Sequence, residues 1–294
     1  MKSNLAVKPK YSIVVPAYNE EDLLGDCLDS LLQQEVNFEF EIIVVDNNSS
    51  DSTASVAKKR KVRLISEKNP GVCWARQAGY IAANGKYIVS TDADTTFDSN
   101  WLCRLDKHIK TGVVGVGGGI YYNGDIGWAN AWSRFLFGGS KLWSNLFGQP
   151  CYVSACNLVF LKSAIKGYDT RLTQGGDELA ILKQLKKNGR VIIDPTILVN
   201  TSGRRQAKGL WYSIFVTFLW YYIMGYNISR LTRHNFFGSY PAFRKVKARK
   251  SIGFKGKYFP WIVILIVAFL IAYYAKSEIS EDNIQNASLN IPAR

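Results

Sequence analysis

Residues 87–94 read Tyr-Ile-Val-Ser-Thr-Asp-Ala-Asp, an apolar run that ends in two aspartates, Asp92 and Asp94, separated by one residue. Residues 87–90 of this run have the length and composition of a buried strand. Two carboxylates on the turn after a strand can bind a hard divalent cation such as Mg²⁺ or Mn²⁺, which takes its other oxygen ligands from water and from a substrate's phosphates. The pair by itself also suits loop solvation or helix capping, so its position in the fold has to decide.

Similar strand patterns precede this one in the chain, and helical patterns separate them. The strand patterns cover residues 11–16, 41–45 and 62–66. The helical patterns cover residues 20–32, 53–59 and 71–83. Strands that alternate with helices and are joined by short turns predict an α/β fold, in which a mostly parallel sheet carries helices on both faces.

Polar residues follow the carboxyl ends of these strands. Ligands of such sheets bind beyond the carboxyl ends of the strands, so we expect residues 16–20, 46–51 and 92–94 to share one crevice. In that crevice Asp46 can accept hydrogen bonds from the N–H edge of a nucleobase, or it can cap the turn that follows it. Asp51 comes just before the second predicted helix and suits a helix N-terminus.

Arg76 lies on the third predicted helix, near the same crevice. A guanidinium group there can bind a diphosphate, or it can be an exposed and solvated side chain. The chain has no G-x-x-x-x-G-K-[ST] motif, and no G-x-G-x-x-G opens a helix after the first strand. P-loop proteins and dinucleotide-dependent dehydrogenases therefore lose their main support.

These residues, in this order, resemble the catalytic domain of glycosyltransferase family 2. The similarity covers about residues 10–200, and the combined order of its motifs is highly specific although each motif alone is not. The matching segments are residues 15–20 (VPAYNE), 44–53 (VVDNNSSDST), 69–71 (NPG), 75–76 (AR) with Gly79, 83–88 (ANGKYI), 92–94 (DAD), 154–162, 167–169 (GYD) and 175–178 (GGDE).

The resemblance implies a GT-A fold, a nucleotide-sugar donor, a divalent cation and inverting transfer of the sugar. It places Asp92 and Asp94 at the metal and the diphosphate, and it assigns the general base to Asp177 or Glu178. It places Pro16, Ala17, Tyr18, Glu20 and Asp46 in the nucleoside pocket. The full set of donor-binding residues that it implies is Pro16, Ala17, Tyr18, Glu20, Asp46, Asn48, Arg76, Asp92 and Ala93.

The acidic pair Asp177 and Glu178 departs from the family's usual order, which is Glu-Asp. Either carboxylate can deprotonate an acceptor hydroxyl that lies within reach, so the sequence leaves open which one is the base. The pair also precedes a helical pattern at residues 179–187, where acidic residues interact favourably with the helix macrodipole. The glycines before the pair and the family resemblance favour a base over a simple helix cap.

The charge of the chain is concentrated in one segment. The chain has 294 residues, 47% of them hydrophobic, and a formal net charge of +14, a composition that excludes disordered and collagen-like proteins. Residues 199–257 contain 12 basic residues and no acidic one, whereas charges elsewhere nearly balance. A basic excess can indicate nucleic-acid binding, but an excess confined to one segment calls for a local explanation.

A run of 18 uncharged residues, 258–275, follows the basic segment. At about 1.5 Å per residue it is long enough to cross the hydrocarbon core of a bilayer, and aromatic residues lie at both of its ends. Basic residues precede it and acidic residues follow it. By the positive-inside rule we expect a single transmembrane helix with the catalytic domain in the cytoplasm; a buried core helix is the alternative.

A second uncharged run, residues 210–228, is rich in aromatic residues and carries a thin polar stripe. If it crossed the membrane, residues 229–257 with their nine basic residues would lie outside, against the positive-inside rule. We therefore expect an amphipathic helix in the membrane interface, ahead of a second span or a buried helix. The surrounding basic residues would attract anionic lipid.

The predicted organisation combines these segments. It comprises an N-terminal tail (1–10), a GT-A catalytic domain (11–200), a basic membrane-interface region (201–257), a transmembrane helix (258–275) and a polar tail (276–294). Residues 121–153 are unusually aromatic, which suits an acceptor's sugar rings or lipid tail, a packed core or a membrane-facing helix.

The function that these features predict is transfer of a single sugar from a UDP- or GDP-linked donor to a lipid-linked or membrane-proximal glycan acceptor, within cell-envelope polysaccharide synthesis. Chain-polymerising relatives usually carry a Gln-x-x-Arg-Trp motif, whereas residues 202–206 here read SGRRQ. The alternatives are an inactive membrane scaffold, against which the acidic residues argue, and a nucleic-acid-binding protein. The location of the basic residues beside a membrane segment argues against the latter.

Overall fold

The first four strands of the chain form the parallel half of one sheet. The computed structural model describes residues 8–124, 126–171, 177–213, 215–217 and 220. Strand β1 (Tyr11–Ala17) pairs in parallel with β2 (Phe40–Asp46) and with β4 (Tyr87–Ser90), and β2 pairs with β3 (Arg63–Ser66). The predicted α/β architecture with a mostly parallel sheet is confirmed.

The second half of the sheet is mixed. It contains β5 (Thr95–Thr96), β6 (Val113–Asn123), β7 (Leu158–Leu161) and β8 (Arg190–Ser202), and the strand order is β3-β2-β1-β4-β7-β6-β8-β5. Strand β7 is antiparallel to both of its neighbours, β8 is parallel to β6, and β5 is antiparallel to β8. The last strand ends two residues beyond the predicted domain boundary at residue 200.

Six α-helices connect these strands. They are α1 (Leu24–Leu32), α2 (Thr53–Lys59), α3 (Val72–Ala82), α4 (Trp101–Asp106), α5 (Gly127–Phe147) and α6 (Asp177–Asn188). The first helix begins four residues later than its pattern predicts, and a turn precedes it in which the carbonyl of Glu20 accepts hydrogen bonds from the N–H groups of Leu23 at 3.2 Å and Leu24 at 2.9 Å. Helix α2 has the predicted bounds.

Strand β1 is covered on both faces, since all seven of its residues are buried and neighbouring residues point to opposite sides. Helix α3 approaches it closely. A Cβ atom on Gly79 would lie 2.2 Å from Cγ1 of Val14, so only glycine permits this separation. The close approach fixes the position of Arg76, which lies one turn earlier on the same helix.

Asn157 connects the mixed half of the sheet to α4. It is fully buried, and its Nδ2 donates to the carbonyl oxygens of Gly119 on β6 and Ile197 on β8, both at 2.8 Å. Its Oδ1 accepts a hydrogen bond from Nε1 of Trp101 at 3.0 Å. Because a buried amide is stable only when its donors and acceptor are paired, this side chain specifies the alignment of three elements.

No helix within the described ranges combines the length and apolarity needed to cross a bilayer. The predicted transmembrane helix at 258–275 and the tail at 276–294 lie outside the described residues. Of the predicted interfacial helix at 210–228, residues 210–213, 215–217 and 220 are described, and they are helical.

Glu41 on β2 joins three neighbouring elements. Its Oε1 accepts hydrogen bonds from Oγ of Ser12 at 2.6 Å and from the N–H of Asn84 at 2.7 Å, and its Oε2 lies 3.1 Å from Nη1 of Arg63. Burial raises the pKa of Glu41, but these hydrogen bonds outweigh it and hold the pKa below its ordinary value of 4.5.

Replacing Glu41 with Gln should therefore destabilise the protein in a pH-dependent way. A carboxylate whose pKa is lowered by folding stabilises the folded state above its unfolded-state pKa, and it loses this contribution as the pH falls through the folded-state value. We expect E41Q to lower the free energy of unfolding by about 1 kcal/mol at neutral pH, and we expect this deficit to disappear as the pH falls through the lowered pKa of Glu41. Urea titrations across this range measure the difference, with the exposed Glu39→Gln as control. A deficit that does not change with pH would contradict this role.

Candidate active site

The two aspartates that follow β4 lie on a turn that is fastened at both ends. The N–H of Thr91 donates to the carbonyl of Val14 on β1 at 3.3 Å, and the N–H of Ser202 at the end of β8 donates to the carbonyl of Asp94 at 3.1 Å. The side chains of Asp92 and Asp94 are 40% and 20% exposed. Both carboxylates are thus held at the end of the sheet and remain accessible from solvent.

Arg76 is buried, with 3% of its surface exposed, so the alternative of a solvated surface arginine is wrong. Its Nη2 lies 2.6 Å from Oδ1 of Asp92, and its Nη1 donates to Oγ of Ser90 and, at 3.2 Å, to the carbonyl of Thr91. The guanidinium therefore holds the aspartate turn in place through these contacts. Its contact with a diphosphate stays a prediction.

Asp177 reaches the same guanidinium from the N-terminus of α6. Its Oδ2 lies 3.1 Å from Nε of Arg76, and only 6% of the residue is exposed. Burial lowers the pKa of Arg76, but Asp92 and Asp177 outweigh it and hold the pKa above its ordinary value. The pKa of Asp92 is raised, because its carboxylate is partly removed from water and lies near Asp94 and Asp177; Arg76 opposes this rise. The structure thus brings Asp92 of the predicted metal motif and Asp177 of the predicted general-base motif to one guanidinium, that of Arg76.

The end of β1 and the loop after it contain the next group of predicted donor-binding residues. Pro16, Ala17 and Glu20 are buried, whereas Tyr18 is exposed. The N–H of Glu20 donates to Oγ1 of Thr53 at 2.8 Å, which ties this loop to the start of α2.

The end of β2 and the loop after it contain two more predicted donor-binding residues, Asp46 and Asn48. The carbonyl of Ala17 accepts a hydrogen bond from the N–H of Asn47 at 2.8 Å, so this loop runs beside the first. Oδ1 of Asp46 accepts the N–H of Ser49 at 3.1 Å, which is the turn-capping role; nucleobase binding through its other oxygen stays a prediction. Asn48 is exposed with a φ of 62°. Asp51 accepts the N–H of Thr53 at 2.9 Å and caps α2, as expected.

Sequence reasoning missed Arg204. Its Nη2 lies 2.9 Å from Oε1 of Glu20 and 2.8 Å from Oδ2 of Asp94, so it connects the loop after β1 to the aspartate turn. Burial lowers the pKa of Arg204, but Glu20 and Asp94 outweigh it and the pKa is raised. Its position just after the end of a strand could have indicated a role in the site. The excess of basic residues in 201–257 favoured a membrane location for that segment instead.

The carboxylate ligands at this turn suit a cation that a substrate helps to bind. In the described part of the chain no cluster of three His, Cys, Asp or Glu side chains could hold a metal by itself. Asp92 and Asp94 supply two hard carboxylates at an accessible turn. Mg²⁺ and similar ions typically use one or two carboxylates together with water and substrate phosphates, so these residues fit a metal-diphosphate site.

The comparison with known families decides the identity. The model of "Glycosyl transferase family 2" matches residues 12–168, which include every strand from β1 to β7 and the aspartate turn. The chain belongs to glycosyltransferase family 2.

Curated relatives match part of this family 2 chain. The uncharacterized glycosyltransferase EpsJ of Bacillus subtilis is 34% identical over 119 residues, which are 39% of this chain and 34% of EpsJ. The poly(ribitol-phosphate) beta-glucosyltransferase of Bacillus spizizenii is 37% identical over 105 residues, which are 32% of this chain and 16% of that enzyme. The chain thus spans about a third or less of the length of these relatives.

Solved structures share the fold of the family 2 enzyme described here. The mannosyltransferase PcManGT from Pyrobaculum calidifontis, in complex with GDP-Man and Mn²⁺, has a TM-score of 0.53 at 20% identity, over 67% of this chain and 58% of that one. S. aureus TarS 1-349 has a TM-score of 0.51 at 18% identity, over 68% of this chain and 62% of that one. The GT-A-like architecture is thus common to all three.

Proposed function

We propose that this glycosyltransferase transfers a single sugar, with inversion, from a UDP- or GDP-linked donor to a lipid-linked or membrane-proximal glycan acceptor at the cytoplasmic face of a membrane. The proposal rests on one observation: Asp92 of the aspartate turn and Asp177 of α6 contact the same buried guanidinium. The groups that would bind the donor's diphosphate and those that would activate the acceptor are therefore neighbours.

Asp92 and Asp94 would hold the divalent cation, Mn²⁺ or Mg²⁺. When bound, the cation neutralises the charge that develops on the departing nucleoside diphosphate. The nucleoside would lie at the carboxyl ends of β1 and β2, where Pro16 and Ala17 end the first strand and Asp46 ends the second. The PcManGT structure contains GDP-Man and Mn²⁺ and a TarS structure contains UDP, so both nucleotides are compatible with this fold.

We assign the general base to Glu178 rather than Asp177. Asp177 is buried against Arg76, with its Oδ2 3.1 Å from Nε of the guanidinium, so its carboxylate is engaged there and turned away from solvent. Neighbouring helical residues point about 100° apart, so Glu178 faces a different direction, and it is less buried than Asp177. Glu178 can therefore accept the proton of an acceptor hydroxyl while Asp177 fixes Arg76.

Replacing Glu178 with Gln should abolish transfer without affecting donor binding. Loss of a general base typically costs about 10²- to 10⁴-fold in turnover. We expect E178Q to bind UDP or GDP with Mn²⁺ as the wild type does, and to transfer radiolabelled sugar to a lipid extract of the source cells more slowly by that factor.

The exposed Glu35→Gln removes the same charge elsewhere and serves as the control. Turnover of E178Q within a few-fold of the wild type would contradict the assignment of the base. Failure of the wild type to consume any UDP- or GDP-sugar in the presence of Mn²⁺ would instead favour an inactive scaffold.

The membrane part of the proposal draws support from helix α5. Its buried face contains one large apolar residue, Phe137; the other buried residues are Ala129, Ser133 and Ser140, and Oγ of Ser133 donates to the carbonyl of Ile120 at 2.7 Å. Large apolar residues lie on its outer surface instead. Leu142, Leu146 and Phe147 are 61%, 69% and 63% exposed.

This distribution is the reverse of that in an ordinary surface helix, which buries its large apolar side chains. Helix α5 also contains no acidic residue, and its basic residues Arg134 and Lys141 are exposed. An exposed apolar surface with basic residues beside it suits the interface of an anionic bilayer. We propose that α5 lies against the membrane to which residues 258–275 anchor the chain, with residues 210–228 in the interface.

A fluorescent label on α5 tests this orientation. NBD attached to Leu146→Cys, with Cys103 and Cys151 replaced by Ser, should shift its emission to the blue on vesicles that contain phosphatidylglycerol, and nitroxide-labelled lipid should quench it. The same label at Ile81→Cys, an equally exposed apolar site on α3, should not respond.

Three outcomes would contradict the membrane contact of α5. The label at position 146 could show the same response as the label at position 81. It could be in an apolar environment before vesicles are added, which would indicate that another part of the chain covers α5. It could also respond to protein concentration rather than lipid, which would indicate contact with a second copy.

A further inference from the structure

Arg204 occupies the position where Asp94 would bind a cation. The guanidinium lies 2.8 Å from Oδ2 of Asp94, while Oδ1 of the same carboxylate accepts a hydrogen bond from Oγ1 of Thr201 at 3.2 Å. Both oxygens of Asp94 are therefore engaged by the protein. A divalent cation at Oδ2 would compete with the guanidinium, because two positive charges at the same carboxylate oxygen repel each other.

The same guanidinium also compensates a buried carboxylate. Glu20 is 6% exposed, and its Oε1 lies 2.9 Å from Nη2 of Arg204. A buried carboxylate is costly unless it is paired, so Arg204 allows an acidic side chain to remain in the wall of the nucleoside pocket. Its two contacts thus neutralise a site that would otherwise collect several negative charges.

The backbone beside Arg204 is closely packed, while its side chain is partly exposed. A Cβ atom on Gly203 would lie 2.5 Å from the carbonyl oxygen of Asn123, so the chain is packed closely against β6 at that point. The Arg204 side chain is 17% exposed. A change of partner would therefore require rotation of the side chain rather than movement of the backbone.

We propose that Arg204 is an exchangeable counter-ion of the donor site: it holds Asp94 and Glu20 when the site is empty, and it moves from Asp94 to the donor's diphosphate when the site is loaded. The inference rests on the proposed function. Guanidinium groups bind phosphate through two parallel hydrogen bonds, and the diphosphate would lie next to Asp94. The arginine thus opposes binding of the cation alone and favours binding of the cation together with the nucleotide.

Removal of Arg204 should have opposite effects on the two ligands. We expect Arg204→Gln to bind Mn²⁺ alone about tenfold more tightly, as followed by the EPR signal of free Mn²⁺, since the competing charge is gone. We expect its affinity for UDP or GDP at saturating Mn²⁺ to fall about tenfold in calorimetric titrations, since a phosphate contact is lost. Arg204→Lys should show smaller changes of the same signs, because it keeps the charge but not the forked geometry.

Arg190→Gln removes the same charge at the exposed start of β8 and is the matched control; it should change Mn²⁺ affinity far less than R204Q. Weaker binding of both ligands, together with a lower melting temperature, would show that Arg204 is only structural. Tighter Mn²⁺ binding with unchanged nucleotide affinity would also overturn the exchange. If the wild type bound neither UDP nor GDP with Mn²⁺, the proposed function itself would fail, a result distinct from unchanged affinities in R204Q.

Discussion

The active site depends on one buried guanidinium that two carboxylates share. Arg76 is surrounded by Asp92, which follows β4, and Asp177, which begins α6. Removing an arginine and an aspartate from water costs several kcal/mol per ion, and only close ion pairs with further hydrogen bonds offset this cost. Ser90 and Thr91 supply those hydrogen bonds. The arrangement is stable only when the turn and the helix are both in place, so it couples the two halves of the site.

A second arginine, Arg204, pairs with other carboxylates of the site. Arg204 pairs with Asp94 and Glu20, so each predicted metal ligand is paired with one arginine in the structure. The two pairs differ in burial. Arg76 is enclosed and acts as a fixed support, whereas Arg204 is partly exposed and can exchange partners. This difference allows one crevice to hold several acidic side chains and still accept a charged donor.

The sequence predicts the local features of this fold better than the long-range ones. Residues 87–90 and 53–59 have the predicted bounds, because apolar runs and helical spacing are local signals. The strand β6 was not predicted, since its four glycines obscure strand periodicity and its role depends on pairing with β7 and β8. The burial of Arg76 depends on Asp177, far along the chain. Arg204 was assigned to the membrane because composition averages over a segment and does not identify the one residue that turns inward.

A double-mutant cycle between Arg76 and Asp177 tests most directly whether this ion pair joins the two halves of the site. The account predicts that Arg76→Gln lowers the free energy of unfolding by about 3 kcal/mol, because it leaves a buried carboxylate unpaired. The double variant with Asp177→Asn should then lose at least about 1 kcal/mol less than the sum of the single losses. Additive losses, or a loss below about 1 kcal/mol for Arg76→Gln, would contradict the account.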